Sequence, residues 1–118
     1  MEESWKILLY RTSQGESPVK EFIDNLELKA QTKVYNTINF LRDFGTTVGS
    51  THIKKITGTD LWELRILGTD NIRILYVAIT GKTFLLLHGF KKKRDKTPQN
   101  EIKTALARLA EHKIRGIN

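Results

Sequence analysis

Arg65 and Arg73 stand in segments that otherwise read as strands, and Lys91-Lys92-Lys93-Arg94 follows the last apolar segment. His88 lies three residues ahead of that run, and Lys54-Lys55 precede the strand-like centre of the chain. A guanidinium presents a planar fork of donors that matches phosphate oxygens. A lysine with a lowered pKa, or a histidine, can move a proton near neutral pH. This set suits a reaction that needs no metal. An RNA 2′-hydroxyl attacks the adjacent phosphodiester while cations face the charge that develops on phosphorus. The bland alternative is charge satisfaction, with Glu63 pairing Arg65 or Arg73, since long charged side chains are seldom buried alone. His88 has its own bland reading, as a packed residue at the end of an apolar strand.

Other chemistries lack their residues. There is no phosphate-cradling glycine loop, dinucleotide glycine pattern, Gly-x-Ser-x-Gly or His pair at metal spacing. His52, His88 and His112 are far apart in sequence. The absence of cysteine excludes disulfides, thiolate zinc sites and a cysteine nucleophile, and fits a reducing, cytoplasmic setting. No metal and no organic cofactor is expected.

The elements that must hold these residues follow from the periodicity. Residues 6–11 read as a short strand, followed by a Thr12-Ser13-Gln14-Gly15 turn. Ser17-Pro18 reads as a helix start, with Ser17 capping and Pro18 first in the helix. Val19, Phe22, Ile23 and Leu26 then recur at helical spacing. A second helix is expected over residues 29–44, with Ala30, Val34, Ile38 and Leu41 on one stripe and Gly45 at its end. The two make a helical hairpin. Residues 45–51 read as loop, and 52–56 as a further short strand.

Trp62, Leu64 and Ile66 alternate with Glu63 and Arg65, and residues 72–79 are rich in β-branched side chains, as a central strand should be. Turns at residues 68–71 and 80–82 lead to a last strand over 84–91, so three strands form an antiparallel meander. A final helix is expected after Thr97 as cap and Pro98 as first residue. Its apolar face is Ile102, Ala105, Leu106, Leu109 and Ala110, with Lys103, Arg108 and Lys113 off it. Residues 115–118 should fray. The order β-α-α-(β)-β-β-β-α gives an α+β domain. The hairpin and the C-terminal helix pack on one side of a four- to five-stranded, mostly antiparallel sheet.

At 118 residues and 39% hydrophobic, the chain reads as one domain, residues 1–118, with apolar material enough for a core. No apolar run approaches membrane-spanning length. Met1-Glu2-Glu3 opens no apolar segment, so neither a secretory signal nor a membrane role is expected. The formal charge is +7, and its placement is uneven. Residues 1–50 carry six Lys/Arg and seven Asp/Glu, whereas residues 88–118 carry nine and three. A polyanion is the natural partner of such a surface, although solubility alone would also account for it.

The segments Leu61-Trp62-Glu63-Leu64-Arg65-Ile66, Arg73-Ile74-Leu75-Tyr76-Val77, Leu86-Leu87-His88-Gly89-Phe90-Lys91-Lys92-Lys93 and Lys96-Thr97-Pro98, then Glu101-Ile102 and Ala105, occur in this order. Together they resemble the RelE/HigB-like toxins of bacterial type II toxin–antitoxin pairs, most of all the phage-derived HigB branch. The resemblance spans about residues 5–112. It implies a RelE-like fold and a metal-independent mRNA interferase that cleaves translated mRNA at the ribosomal A site. It implies no small-molecule substrate. Its partners would be mRNA, the ribosome and a cognate antitoxin, often a helix-turn-helix HigA-like protein.

Carried over, Arg73 matches the strand arginine that contacts the scissile phosphate. Arg65 matches a basic position on the preceding strand, and Lys91 or Lys92 the basic position after the last strand. The C-terminal tyrosine of some RelE-type toxins is absent, the region reading Thr97-Pro98-Gln99, and Glu63 stands where RelE has a lysine. His88, Lys91 and Lys92 are therefore the candidates for proton transfer, with Lys54, Lys55, Lys93 and Arg94 as RNA-binding cations. Two rival readings are a ParE-like toxin that inhibits gyrase without cleaving, and a non-toxic basic nucleic-acid-binding module.

Overall fold

The apolar run at residues 72–79 forms the central strand expected of it, and burial on both of its faces from Ile72 to Val77 decides the architecture. A strand covered on both faces needs a layer on each side. The computed structural model describes residues 4–46, 51–66, 68, 71–93 and 96–116. In chain order the elements are β1 (Lys6–Leu9), α1 (Pro18–Asp24), α2 (Leu28–Phe44), β2 (Ile53–Lys55), β3 (Trp62–Ile66), β4 (Ile72–Ile79), β5 (Thr83–Lys91) and α3 (Gln99–Ile114). Parts of the expected loops at 45–51 and 68–71, Arg94, and residues 117–118 lie outside the described residues.

The five strands are ordered β1-β5-β4-β3-β2. β2, β3, β4 and β5 pair antiparallel in sequence order, and β1 joins β5 in parallel. The meander is therefore as expected. The placement of the helices is not, because they do not share one side of the sheet. Val19 and Ile23 of α1 and Val34, Ile38 and Leu41 of α2 pack on Leu64, Ile66, Ile72, Ile74, Tyr76, Phe84 and Leu86. Ile102, Ala105 and Leu109 of α3 pack on the other face, against Leu75, Val77, Leu85, Leu87 and Phe90. The two-sided burial of β4 requires this division.

Local chemistry sets the ends. Gly45 closes α2 with φ +72° and donates its N–H to the Leu41 carbonyl at 2.8 Å. A side chain there would also press on the Trp5 indole, which itself stacks on Phe84 at 4.1 Å. Ser17 holds the cap position of α1, but its hydroxyl makes no capping bond. Thr97 caps nothing either. α3 starts one residue later than expected, with Pro98 at its cap, because the Thr97 hydroxyl is bound to Glu63.

The buried stripe of α3 is Ile102, Ala105, Leu109 and His112, so Leu106 and Ala110 fall outside the expected face. Arg115, expected to fray, is tied down by its pairing with Glu111 at 2.5 Å and its donation to the Arg11 carbonyl.

One irregularity breaks the sheet's register. Leu75 lies opposite His88, yet Tyr76 lies opposite Leu86, which leaves Leu87 as an extra residue in β5. Such a bulge bends the strand and re-aims the side chains around it. It puts Leu87 and His88 on the same side of the sheet, toward α3. The next residue, Gly89, lies under α1, where an added Cβ would come within 2.5 Å of the Phe22 ring. Gly89→Ala should therefore destabilise the chain by about 1–3 kcal/mol through overpacking. The loss should largely vanish in a Phe22→Ala background, and urea unfolding of the four chains measures both.

Candidate functional site

Arg65 and Arg73 are direct cross-strand partners, and Phe90 lies beside Arg73 on β5. In a second row two residues along β4, Lys54, Glu63, Leu75 and His88 align in the same way. Residues opposite one another in a sheet share a face. Leu75 and Phe90 belong to the core under α3, so both rows point to that side. Neighbouring guanidinium groups on paired strands repel each other. The site therefore depends on what stands among them.

That group is Glu63, whose side chain is completely buried. Its Oε1 lies 3.9 Å from Arg73 Nε, and its Oε2 accepts the Thr97 hydroxyl. The Arg73 side chain is 8% exposed and donates through Nη1 to the Ile72 carbonyl at 3.0 Å. Charge satisfaction, the bland reading of Glu63, is thus real but partial. Among the described residues, Glu63 Oε1, Arg65 Nε and Arg73 Nε are buried and have no hydrogen-bond partner. Buried polar atoms left in this state are costly, and they mark a place where a further donor or acceptor would be stabilised.

Lys92 completes the cluster. It follows the last residue of β5, is buried, and donates its backbone N–H to the Asn71 carbonyl at 2.8 Å. Burial lowers its pKa, and Arg73, Lys54 and Arg65 lower it further, while Glu63 opposes them. Burial likewise lowers the Arg73 pKa, with Glu63 acting against it and Arg65 with it. An arginine nonetheless stays protonated in any accessible range. Lys54, Arg65, Arg73 and Lys92 thus surround one carboxylate. The positive excess, the planar donors and a buried ammonium of lowered pKa give the cluster the charge and donor geometry that a phosphate group would match.

The other expected residues separate. Lys91 is exposed and lies opposite Ile72, hence on the side of α1 and α2. Lys93 is exposed. Lys55 lies one residue pair from Lys54, its ammonium 4.9 Å from the Trp62 ring centroid. Arg94 lies outside the described residues.

His88 is held on both ring nitrogens. Its Nε2 is 2.6 Å from Glu101 Oε1, and its Nδ1 is 3.0 Å from Arg108 Nη1. Arginine only donates, so Nδ1 accepts and the ring proton sits on Nε2, facing Glu101. Arg108 Nη1 also donates to the Leu87 carbonyl at the bulge, at 2.9 Å. The ring stacks on Phe90 at 5.5 Å.

Sequence reasoning missed three of these roles. Thr97 reads as a cap, Arg108 as a residue off the apolar face, and Glu101 carries no role of its own. The one available signal was spacing, because Glu101, Ala105 and Arg108 fall on one helical stripe beside the buried face.

Residues 21–110 match the family model described as "Phage derived protein Gp49-like (DUF891)", a family associated with RelE-like toxins. The match includes every residue of the cluster. No curated protein matches the chain.

The lowered pKa of Lys92 has a consequence for stability. Its folded value lies below the unfolded one, so between the two the unfolded chain binds more protons and stability rises with pH. That contribution should appear from the lowered folded value up to the ordinary lysine value of about 10.4. The raised tyrosines Tyr10 and Tyr76, the latter pushed up to about 12 by burial, oppose it only from their unfolded value of about 10 upward. Urea unfolding at a series of pH values below 10 should show a positive slope that is reduced in Lys92→Met.

Proposed function

We propose that this chain, which belongs to the phage-derived Gp49-like family, is the toxin of a type II toxin–antitoxin pair and acts as a metal-independent mRNA interferase. The observation that carries the reading is the pair of side-by-side arginines with unmet donors, joined by a lysine of lowered pKa. A protein that bound gyrase and cleaved nothing would have no use for a deprotonable ammonium beside two guanidinium groups. As in the RelE-like toxins it resembles, we take the substrate to be translated mRNA at the ribosomal A site, in the cytoplasm.

In this reaction Lys54 and Lys93, both exposed, draw the RNA backbone in, and Arg65 passes a phosphate to Arg73. Lys92 in its neutral form removes the proton from the 2′-hydroxyl. The 2′-oxygen bonds to phosphorus, the bond to the 5′-oxygen breaks, and a proton is returned to that oxygen. The products are a 2′,3′-cyclic phosphate and a free 5′-hydroxyl. Arg65 and Arg73 stabilise the charge on the pentacoordinate phosphate. His88 acts as a positioning residue, because Glu101 and Arg108 occupy its nitrogens. Lys91 and Lys55 serve the RNA backbone away from the reacting phosphate.

Removing one preorganised charge stabiliser lowers such rates by about 100- to 1000-fold. Loss of a general base costs about 100- to 10,000-fold. Induced expression in a bacterium with mapping of mRNA 5′ ends should therefore reveal new ends inside translated frames. They should be lost in Arg73→Ala and in Lys92→Met, with circular dichroism unchanged. Growth arrest without new ends would replace this reading with gyrase-type inhibition. No effect on growth or on transcripts would leave a non-toxic nucleic-acid-binding module.

The cluster also defines what can silence it. A cognate antitoxin must place acidic side chains over Lys54, Arg65 and Lys93, so its association should be steered by charge and screened by salt. Raising ionic strength from about 50 mM to about 500 mM should slow association by at least roughly an order of magnitude. Surface-plasmon resonance reads this directly, and a rate that ignores salt would remove the acidic cover.

A further inference from the structure

The sheet has an open margin on the side away from the cationic cluster. β1 is an outer strand, separated from β3 by β5 and β4. Lys6 and Tyr10 donate their backbone N–H groups to the Lys82 and Leu86 carbonyls, each at 2.9 Å. Successive residues of a strand turn their backbone polar groups to opposite sides. Leu8 therefore faces β5 together with Lys6 and Tyr10, while Ile7 and Leu9 face outward. Such a row of outward groups is a template for another strand. At this margin Leu8, Leu9, Arg11, His112 and Arg115 line a cavity of about 90 Å³. Leu8 belongs to the α3 side of the sheet and Leu9 to the opposite side, so the cavity lies on the edge itself.

Two features of this cavity ask for a ligand. His112 is 4% exposed, and its Nε2 is buried with no hydrogen-bond partner among the described residues. Burial and Arg115 lower its pKa against the pull of Glu111, so the ring is neutral near pH 7 and can donate or accept. An unmet buried polar atom is costly, and a ligand group that meets it is stabilised. The margin is also cationic. Lys6 and Arg11 are exposed, and the Arg11 guanidinium holds the Gly15 carbonyl at 3.4 Å. The nearby Glu111 carboxylate is already engaged, accepting the Tyr10 hydroxyl at 2.7 Å and pairing with Arg115 at 2.5 Å. A second copy of this chain, pairing antiparallel, would bring Lys6 of one strand toward Arg11 of the other, and these repel. A strand that carries carboxylates has the complementary charge. A lysine on a short edge strand also reads as a guard against pairing, but that reading leaves the His112 nitrogen unexplained.

We propose that the outer edge of β1 is a docking site for an extended, acidic segment of a partner protein. The segment adds a strand through the N–H and C=O groups of Ile7 and Leu9. It sets one short polar side chain into the cavity, where it bonds to His112, and offers carboxylates to Lys6 and Arg11. The backbone bonds supply affinity, and the cavity and the cations supply selectivity. The site uses none of the residues of the cationic cluster, so it stands or falls apart from the nuclease reading.

The probe is an acetylated and amidated peptide of about seven residues, the length of an ordinary strand, in which glutamate alternates with threonine. At saturation, amide hydrogen exchange at Ile7 and Leu9, read by NMR, should slow by about ten-fold or more, while Lys6, Leu8 and Tyr10, which already face β5, change little. Affinity should fall several-fold in Arg11→Ala and in His112→Phe, with circular dichroism unchanged, and should hold in Arg73→Ala. A peptide of equal charge with prolines in place of the threonines should bind several-fold more weakly, because it cannot sustain a ladder. Binding that leaves exchange at Ile7 and Leu9 unchanged, or that Arg73→Ala abolishes and Arg11→Ala does not, puts the peptide on the cationic cluster and overturns the edge site. Absence of binding at millimolar peptide overturns it as well.

Discussion

A carboxylate without access to water holds the cationic face together. Glu63 stands at the junction of β2, β3 and the segment that leads to α3, with Lys54 as its strand partner and Thr97 on one oxygen. Without it, Arg65 and Arg73 would face one another across paired strands with no buried counter-charge, and Lys92 could not lie beside them. With it, the repulsion is reduced but not removed, since one negative charge faces four positive residues. The pairing is also loose. At 3.9 Å, Arg73 Nε and Glu63 Oε1 attract each other without a hydrogen bond. The arginine is held near its place by the Ile72 carbonyl and keeps an unused donor. A tight pair would have closed the site to an incoming anion.

The rest of the fold supplies the stability that this arrangement costs. One face of the sheet is given to apolar packing by α1 and α2, with Trp5 stacked on Phe84 and Tyr76 meeting Phe84 edge to face. The other face is divided. Toward the start of β5 it is apolar and covered by α3, and toward the end of β5 it carries the cations. The bulge at Leu87 lies between the two regions. It turns His88 toward α3, and Arg108 binds both the bulge carbonyl and the ring. The contact of α3 with the bulged strand thus fixes where the covered part of the face ends and the charged part begins.

Much of this is legible in the residues. The strands announce themselves by alternation in Trp62–Ile66 and by the β-branched run of Ile72–Ile79, and Gly45 marks the end of α2. Arg73 stands out because a charge on a strand among Leu75 and Val77 needs a reason. What the sequence conceals has physical causes. Alternation says that Glu63 and Arg65 share a face but not that the face is covered, since a polar residue looks the same in water and under a helix. The run 74–77 holds the clue, because a strand that is apolar at successive positions is buried on both sides. The bulge leaves no signal in composition. Thr97 reads as a helix cap because caps and buried carboxylates ask complementary things of the same hydroxyl.

The same geometry orders the basic residues by depth, which a charge count cannot do. Lys91, Lys92 and Lys93 are adjacent and chemically identical, yet strand alternation sends Lys91 to the far side of the sheet and Lys92 into the cluster. Burial, with its cationic neighbours, then lowers the pKa of Lys92, whereas Lys93 is exposed. Exposed Lys54 and half-buried Arg65 stand at the mouth, with Arg73 and Lys92 at the floor. A polyanion meeting this surface encounters hydrated charge first and fixed, poorly solvated charge last. Long-range attraction and short-range selectivity are therefore carried by different residues, and only the second group depends on the buried carboxylate.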